Sequence, residues 1–410
     1  MTERRPKRAL MIAGAVISVA LTGVFLHGRT SGAGMGTRPY TPTSDDVVVE
    51  QRGRPSRDAA ASQRAALRQA LAERPADDTL ATQLARLEIE EARRRSDPRH
   101  LGYAQAALQP WWHTQAPPVG VLVLRATIRQ SRHEFQAARA DLDQAVHRAP
   151  DNAQAWLTRS TVLSVLGLYE GARVSCEPLR RLTSILVAEV CFAAVDGVTG
   201  SAQSAATRLN DALAKASPDD DRGWALSVLA DLDAVRGHPA DAETHLRAAL
   251  AANADDSYSR GALADLLLDT GRYGEAISVV DGREQNDGLL LRMAIAEHAA
   301  GSPKSGEHAS ELASRFQASR VRGDQLHGRE EARFELMVRG NPPRALELAR
   351  ANWATQHEPA DARILLEAAA AVGSSEAAGP VLQWLAETHN EDGRLALLAG
   401  KLRQSARSAR

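Results

Sequence analysis

Residues of the types and spacing that catalysis or metal binding requires are sparse in this 410-residue chain. His327 and Glu331 lie four residues apart in the segment HGREEAR, so one helical turn would place them on the same face. The spacing lacks the second histidine of the HExxH zinc motif, and no third ligand lies nearby in the sequence. A solvated helix face with charge pairs one turn apart is therefore the better interpretation.

Motifs for nucleotide or acyl chemistry are also missing from the sequence. No Walker-type phosphate loop, GxSxG nucleophile elbow or GxGxxG fingerprint precedes a predicted helix. The formal net charge is −1, which argues against nucleic-acid binding, because that function uses a basic surface. We therefore predict that the protein is not an enzyme and that it has no cofactor, no metal site and no small-molecule substrate.

The elements that would position any functional side chain come from an internal repeat. Residues 119–152, VGVLVLRATIRQSRHEFQAARADLDQAVHRAPDN, are followed by AQAWLTRSTVLSVLGLYEGARVSCEPLRRL, which repeats the pattern 34 residues later. The equivalent residues are Leu122 and Trp156, Ala126 and Ser160, Phe135 and Tyr169, Ala138 and Ala172, and Leu142 and Cys176. This period indicates a stack of helix pairs, because one pair cannot bury its apolar face alone.

The same period continues through most of the chain. Turns within the helix pairs are predicted at His133, Gly167, Gly200, Gly237, Gly271, Gly301 and Gly340. Buried small residues are predicted in the first helices at Ala126, Ser160, Ala193, Ala230, Ala264 and Ala294, and in the second helices at Ala138, Ala172, Ala205, Ala242, Ala276 and Ala345. We predict a cap helix with a degenerate repeat over residues 57–118, a regular array over 119–288, and divergent repeats with a C-terminal cap over 289–410.

The N-terminus carries a targeting signal. Four basic residues at positions 4–8 precede the uncharged run ALMIAGAVISVALTGVFL at 9–26. A cationic flank before such a run indicates a signal-anchor, with the rest of the chain outside the cytoplasm. A cleaved signal peptide and a buried helix of a soluble protein are the alternatives. We predict a membrane segment at 1–29 and a flexible linker, rich in Gly, Ser, Thr and Pro, at 30–56.

The 34-residue period, with small residues near the middle of each helix and Pro150 closing the first unit, resembles the tetratricopeptide repeat. The resemblance covers roughly residues 76–390 and is most specific over 119–280. It implies an all-α fold, an α-solenoid in which the helix pairs form a right-handed superhelix, here with an N-terminal transmembrane or signal helix. Phrases such as SDPRHLGYAQAALQPWW and RGDQLHGREEARFEL are similar to a group of bacterial periplasmic or inner-membrane-anchored repeat proteins.

Tetratricopeptide repeat proteins bind peptides or extended protein segments on the concave face, through fixed positions of each first helix. The resemblance implies a binding groove at Gln154, Leu157, Thr161, Trp224, Asp231, Tyr258, Asp265 and Leu291. Its aromatic and acidic residues favour a segment with apolar anchors and some basic residues. The chaperone-binding class grips a carboxylate with Lys and Asn where this chain has Leu157 and Thr161, so that clamp is absent.

These features together predict a protein-interaction scaffold of the bacterial cell envelope. One N-terminal helix would tether it to the inner membrane, with most of the chain in the periplasm, and its partner would be another envelope protein or peptide. The alternative function is a structural or assembly factor that holds a membrane-protein complex together without using the groove.

The resemblance also bears on two pairs of residues. Cys176 and Cys191, the only cysteines, fall in neighbouring helices that pack side by side in a tetratricopeptide stack. In that packing the two Cα atoms could lie within the roughly 4.4–6.8 Å that a disulfide tolerates. An extracytoplasmic compartment would oxidise the thiols, so we predict a disulfide. Two buried reduced cysteines are the alternative. Arg125 and Arg159 replace a packing leucine. They either pair with Asp141 or a neighbouring glutamate, or form an anion site in the groove.

Overall fold

The computed structural model describes residues 59–217, 221–322 and 328–408. All regular secondary structure in these ranges is helical, as predicted. The predicted membrane segment, the linker and His327 lie outside the described residues. Within the described ranges, no helix combines the length and the apolarity that crossing a membrane requires.

The helices pack as consecutive pairs, each with a first and a second helix. The N-terminal part contains α1 (Ala59–Glu73), α2 (Asp78–Arg95), α3 (Arg99–Ala107) and a 3₁₀ turn (Gln109–Trp111). The regular part contains α4 (Val119–Ser131), α5 (Phe135–Arg148), α6 (Ala153–Val165), α7 (Tyr169–Cys176), α8 (Leu179–Leu182), α9 (Ile185–Asp196), α10 (Ala202–Ala214), α11 (Arg222–Val235), α12 (Pro239–Ala252), α13 (Ser257–Asp269) and α14 (Tyr273–Val280). The C-terminal part contains α15 (Asp287–Ala300), α16 (Ser305–Arg322), α17 (Gly328–Met337), α18 (Pro342–Trp353), α19 (Pro359–Val372), α20 (Gly379–Glu387) and α21 (Gly393–Ser408).

The turns and the small residues of the repeat lie where the sequence predicts them. All seven predicted turn residues have a positive φ, from 58° at His133 to 76° at Gly237. The predicted small residues of both helices are at most 3% exposed. Small side chains at these places let neighbouring helices approach closely, which builds one continuous core along the stack.

Polar side chains fix the start of several first helices. Asn152, Asp221, Asp256 and Asn286 each accept a hydrogen bond from a backbone N–H in the first turn of α6, α11, α13 and α15, at 3.0–3.1 Å. Such a cap contributes about 1 kcal/mol, because it satisfies a donor that the helix leaves unpaired. These four helices are among those that line the site described below.

The two arginines that replace packing leucines are structural. The Arg125 guanidinium donates to both carboxylate oxygens of Asp141 at 2.9 and 2.7 Å, and its remaining nitrogen donates to three backbone carbonyls of segment 111–114. Arg159 donates to Asp143 and to the Ser175 hydroxyl, each at 2.7 Å. The predicted pairing of Arg125 with Asp141 is therefore confirmed, and both guanidinium groups are already engaged within the protein.

The two cysteines join neighbouring units. Cys176 at the end of α7 and Cys191 in α9 form a disulfide with their Cα atoms 5.7 Å apart. Both residues are buried, at 0% and 3% exposure. The bridge ties α9 to α7 beside Pro178, where the second helix of this unit is interrupted.

Hydrogen bonds between distant residues show how strongly the array curves. The bonded pairs are Tyr169 with His357, Val198 with Asn390, and Ser96 with Asn286. Their sequence separations are 188, 192 and 190 residues. A nearly constant separation means that successive turns of the superhelix contact each other. One turn therefore contains between five and six 34-residue units.

Candidate functional site

The concave side of the superhelix encloses a cavity of about 440 Å³. Residues in or next to eight first helices line it: α6, α9, α11, α13, α15, α17, α19 and α21. The segments that precede α19 and α21 contact the residues that follow α6 and α9, so here the concave face is closed rather than an open groove. The volume lies in the range of protein ligand sites, roughly 300–1,000 Å³.

The structure brings most of the predicted groove residues to this one cavity. The lining includes Leu157, Thr161, Trp224, Asp231, Tyr258, Asp265 and Leu291. Gln154 is not among the lining residues, and its side-chain amide donates to the Thr158 hydroxyl at 3.1 Å. Leu157 and Leu291 are 2% and 1% exposed, so they form the wall and are held by the core.

A carboxylate and two aromatic side chains face the cavity from α11 and α13. Trp224 and Asp231 lie seven residues apart, which is about two helical turns, so they share one face of α11. The Tyr258 hydroxyl donates a hydrogen bond to Asp231. Burial raises the pKa of Asp231 to about 6, while the Tyr258 hydrogen bond and the Arg394 charge oppose the shift. Burial and the adjacent Asp231 charge raise the pKa of Tyr258.

Asp265, farther along α13, is part of an ion-pair cluster. Its carboxylate accepts hydrogen bonds from Arg292 on α15 at 2.5 Å and from Arg333 on α17 at 2.6 Å. Burial alone would raise the pKa of Asp265, but the two guanidinium charges hold it well below its usual range. Asp265 therefore joins three consecutive first helices, and its charge is neutralised within the protein.

The C-terminal units contribute a second set of ion pairs. Arg363 on α19 donates to both oxygens of Asp269 on α13, at 2.7 and 2.6 Å. Arg329 on α17 donates to Glu358 at 2.8 Å and to Asp361 at 3.2 Å. Burial raises the pKa of Glu358 to about 7, against the favourable charge of Arg329. These contacts hold the C-terminal first helices against the units that precede them.

The charges around the cavity nearly balance. Six carboxylates and five arginines line it. Ion pairs with arginine engage Asp265, Glu330, Glu358, Glu367 and Asp392. Among the described residues, none places a basic nitrogen within 4 Å of the Asp231 carboxylate, which accepts only the Tyr258 hydroxyl. Asp231 thus carries a negative charge that no cation in the described part of the chain pairs with.

Sequence reasoning did not find the basic half of this lining. The arginines come from units that diverge from the repeat, so their register was uncertain from sequence. A usable signal was present, because Arg329 and Arg333 lie one helical turn apart, as do Arg363 and Glu367, and such pairs share a helix face. What the spacing does not show is that this face points toward α13.

Comparison with known proteins identifies the repeat. The family described as "Tetratricopeptide repeat" matches residues 123–175 and 227–287, which span α4–α7 and α11–α14. No curated protein matches the chain. Both matched segments lie within the regular part of the array, where the turn glycines and small residues keep the 34-residue period.

Several solved structures resemble the chain at low sequence identity. PilW, a widely conserved type IV pilus biogenesis factor, is 18% identical, with 49% of this chain and 96% of that chain covered and a TM-score of 0.40. A tetratricopeptide repeat protein from Parabacteroides merdae is 16% identical, with 70% of this chain and 99% of that chain covered and a TM-score of 0.37. A chain of the APC/C hetero-tetramer Cut9-Hcn1 is 10% identical, with 85% of this chain and 81% of that chain covered and a TM-score of 0.40. The helix pairs and the left-handed turn residues agree with the family match, so residues 123–175 and 227–287 of this chain are tetratricopeptide repeats.

Proposed function

We propose that this protein is an interaction scaffold that binds a segment of another protein in its central cavity. The observation that carries the proposal is the convergence of eight first helices on one cavity that contains half-buried Trp224. Tetratricopeptide repeat proteins generally mediate protein–protein interactions, and most of the groove positions named from the family resemblance lie in this lining.

The size and the lining of the cavity limit what the segment can be. About 440 Å³ accommodates a few side chains and excludes a folded domain, so the partner inserts a loop or a short extended stretch. Trp224 and Tyr258 offer aromatic contacts, and large aromatic residues often carry much of the binding energy at an interface. The unpaired carboxylate of Asp231 favours a segment with a basic residue beside its apolar anchors.

We further propose that the scaffold works in the bacterial cell envelope, tethered to the inner membrane by the segment at 1–29 and its linker. Support comes from the four basic residues followed by an uncharged run in the sequence. The Cys176–Cys191 disulfide also supports this location, because such bridges persist in oxidising compartments such as the periplasm.

A second candidate function uses the outer surface instead. Val174 on α7 and Ile185 on α9 are apolar, 57% and 68% exposed, and absent from the cavity lining. An assembly factor that holds a membrane-protein complex together would contact its partner through residues of this kind. The two functions differ in which surface touches the partner.

Photo-cross-linking in cells distinguishes the two surfaces. A benzophenone amino acid replaces Trp224 in one variant and Val174 in a matched control variant. We expect a specific cross-linked partner from position 224 only. We also expect Trp224→Ala to weaken binding of that partner by about 2 kcal/mol, roughly 30-fold, with Val174→Ala unchanged. Circular dichroism verifies that the variants are folded. Cross-links from position 174 alone would favour the outer surface and reject the cavity.

A further inference from the structure

One carboxylate in the cavity, that of Asp231, has no charge partner in residues 59–217, 221–322 and 328–408. Asp231 accepts the Tyr258 hydroxyl on one carboxylate oxygen, and no ion pair within the described residues reaches it. The charge of Arg394 lowers the pKa of Asp231, but the Arg394 guanidinium is bonded to Asp392 at 2.8 and 3.1 Å. Asp231 is partly buried, and withdrawing a carboxylate from water without a positive partner is unfavourable, so this arrangement is unusual for a purely structural residue.

The surroundings of Asp231 suit an extended apolar chain. On the same face of α11, Ser227 and Val228 lie between Trp224 and Asp231, and all four line the cavity. Seven residues of helix span about 10 Å, which places an indole at one end of this strip and a carboxylate at the other. Aromatic rings attract cations as well as aliphatic groups, and carboxylates bind ammonium and guanidinium groups directly.

We propose that Asp231 and Trp224 form a recognition site for a cationic group at the end of an aliphatic chain, as in lysine or arginine. The inference rests on the proposed function in that it places this subsite within the same cavity. The chain lies along Val228 toward Trp224, and its cation pairs with the free carboxylate oxygen of Asp231. A basic side chain of a bound segment and a free aliphatic amine share this chemistry.

Direct titration tests the subsite without any knowledge of the partner. The probes are N-acetyl-lysine methylamide, its uncharged norleucine analogue and 1,5-diaminopentane, followed by tryptophan fluorescence and calorimetry at neutral pH and low salt into the millimolar range. We expect the lysine probe to bind wild-type protein more tightly than the norleucine analogue. Asp231→Asn should weaken lysine binding at least tenfold, because it removes a charge-assisted hydrogen bond.

The control substitution makes the same chemical change elsewhere. Asp255 is paired with Arg283 at 2.9 Å and does not line the cavity, so Asp255→Asn should leave the affinity unchanged. Tyr258→Phe frees the second carboxylate oxygen of Asp231, so it should preserve or strengthen binding. This second variant tests the carboxylate even if Asp231→Asn folds poorly.

Each outcome decides the inference. Binding of diaminopentane as well as the lysine probe would assign the site to free amines too, whereas binding of the lysine probe alone would assign it to a protein segment. No binding of either cation, equal binding of the norleucine analogue, or undiminished binding by a folded Asp231→Asn variant would overturn it. Loss of binding in Tyr258→Phe would also overturn it, because the phenol would then be the contact. A failed partner cross-link from position 224 rejects the proposed function while leaving this titration unaffected.

Discussion

The closure of the superhelix predicts that two similar turn glycines respond very differently to the same substitution. Gly200 and Gly237 both end first helices in the left-handed region, with φ of 72° and 76°. A Cβ built on Gly200 would lie 2.8 Å from the carbonyl oxygen of His389 and 3.0 Å from its Cβ. A Cβ on Gly237 would meet nothing within 4 Å. The pair therefore separates backbone strain from loss of the contact between superhelical turns.

The magnitudes follow from these contacts. An alanine in the left-handed conformation costs roughly 1–2 kcal/mol, and both variants carry that cost. Overpacking against a fixed neighbour adds about 1–3 kcal/mol, and only Gly200→Ala carries it, because the obstacle is backbone. We expect Gly200→Ala to lower the free energy of unfolding by about 2 kcal/mol more than Gly237→Ala does.

The assay combines urea unfolding with hydrogen exchange, because repeat arrays unfold in parts and one midpoint does not describe them. In Gly200→Ala we expect faster exchange in α20 and at the start of α21, which flank His389, as well as near the substitution. In Gly237→Ala the faster exchange should stay within α11 and α12. Equal destabilisation by both variants, with unchanged protection in α20, would refute the contact between turns.

Two further predictions concern the disulfide and Asp231. Replacing Cys176 and Cys191 by alanine should lower the free energy of unfolding by about 3 kcal/mol, because the bridge removes the loop-closure entropy of a 15-residue loop from the unfolded state. Urea unfolding measures this difference. Free thiols in protein isolated without reductant would contradict the bridge. The Asp231 carboxyl faces the Tyr258 hydroxyl and the charges of Arg394 and Asp256, and its folded-state pKa of about 6 exceeds the roughly 3.9 of an unfolded aspartate. The folded state therefore binds more protons between these values, and the contribution of this residue to stability falls as pH rises from about 4 to 6. In thermal unfolding, the stability of Asp231→Asn relative to wild type should therefore increase as pH rises across that interval. A stability difference that does not depend on pH would contradict the raised pKa of Asp231.

The repeat itself was predictable because it depends on local geometry. A left-handed turn favours glycine, and close helix packing favours alanine, so Gly167 and Ala172 reveal their roles through type and spacing alone. The pairing of Arg125 with Asp141 and the proximity of Cys176 to Cys191 also follow from the contacts between neighbouring helices. Each of these features depends on at most two adjacent units.

The site could not be predicted from the sequence, because its geometry depends on the sum of many small rotations between successive units. The contact of Tyr169 with His357 sets the closure of the cavity, and it joins residues 188 positions apart. Each unit turns by a small angle relative to the one before, so a slight change per unit would leave the concave face open. The 34-residue period carries no measure of that angle, and therefore does not tell which carboxylates meet an arginine across the cavity. The sequence alone determined the helix pairs, their turns and their first-helix positions. Only the tertiary structure decided that Asp265 is neutralised by Arg292 and Arg333, while Asp231 has no positive partner among the residues that the structure describes.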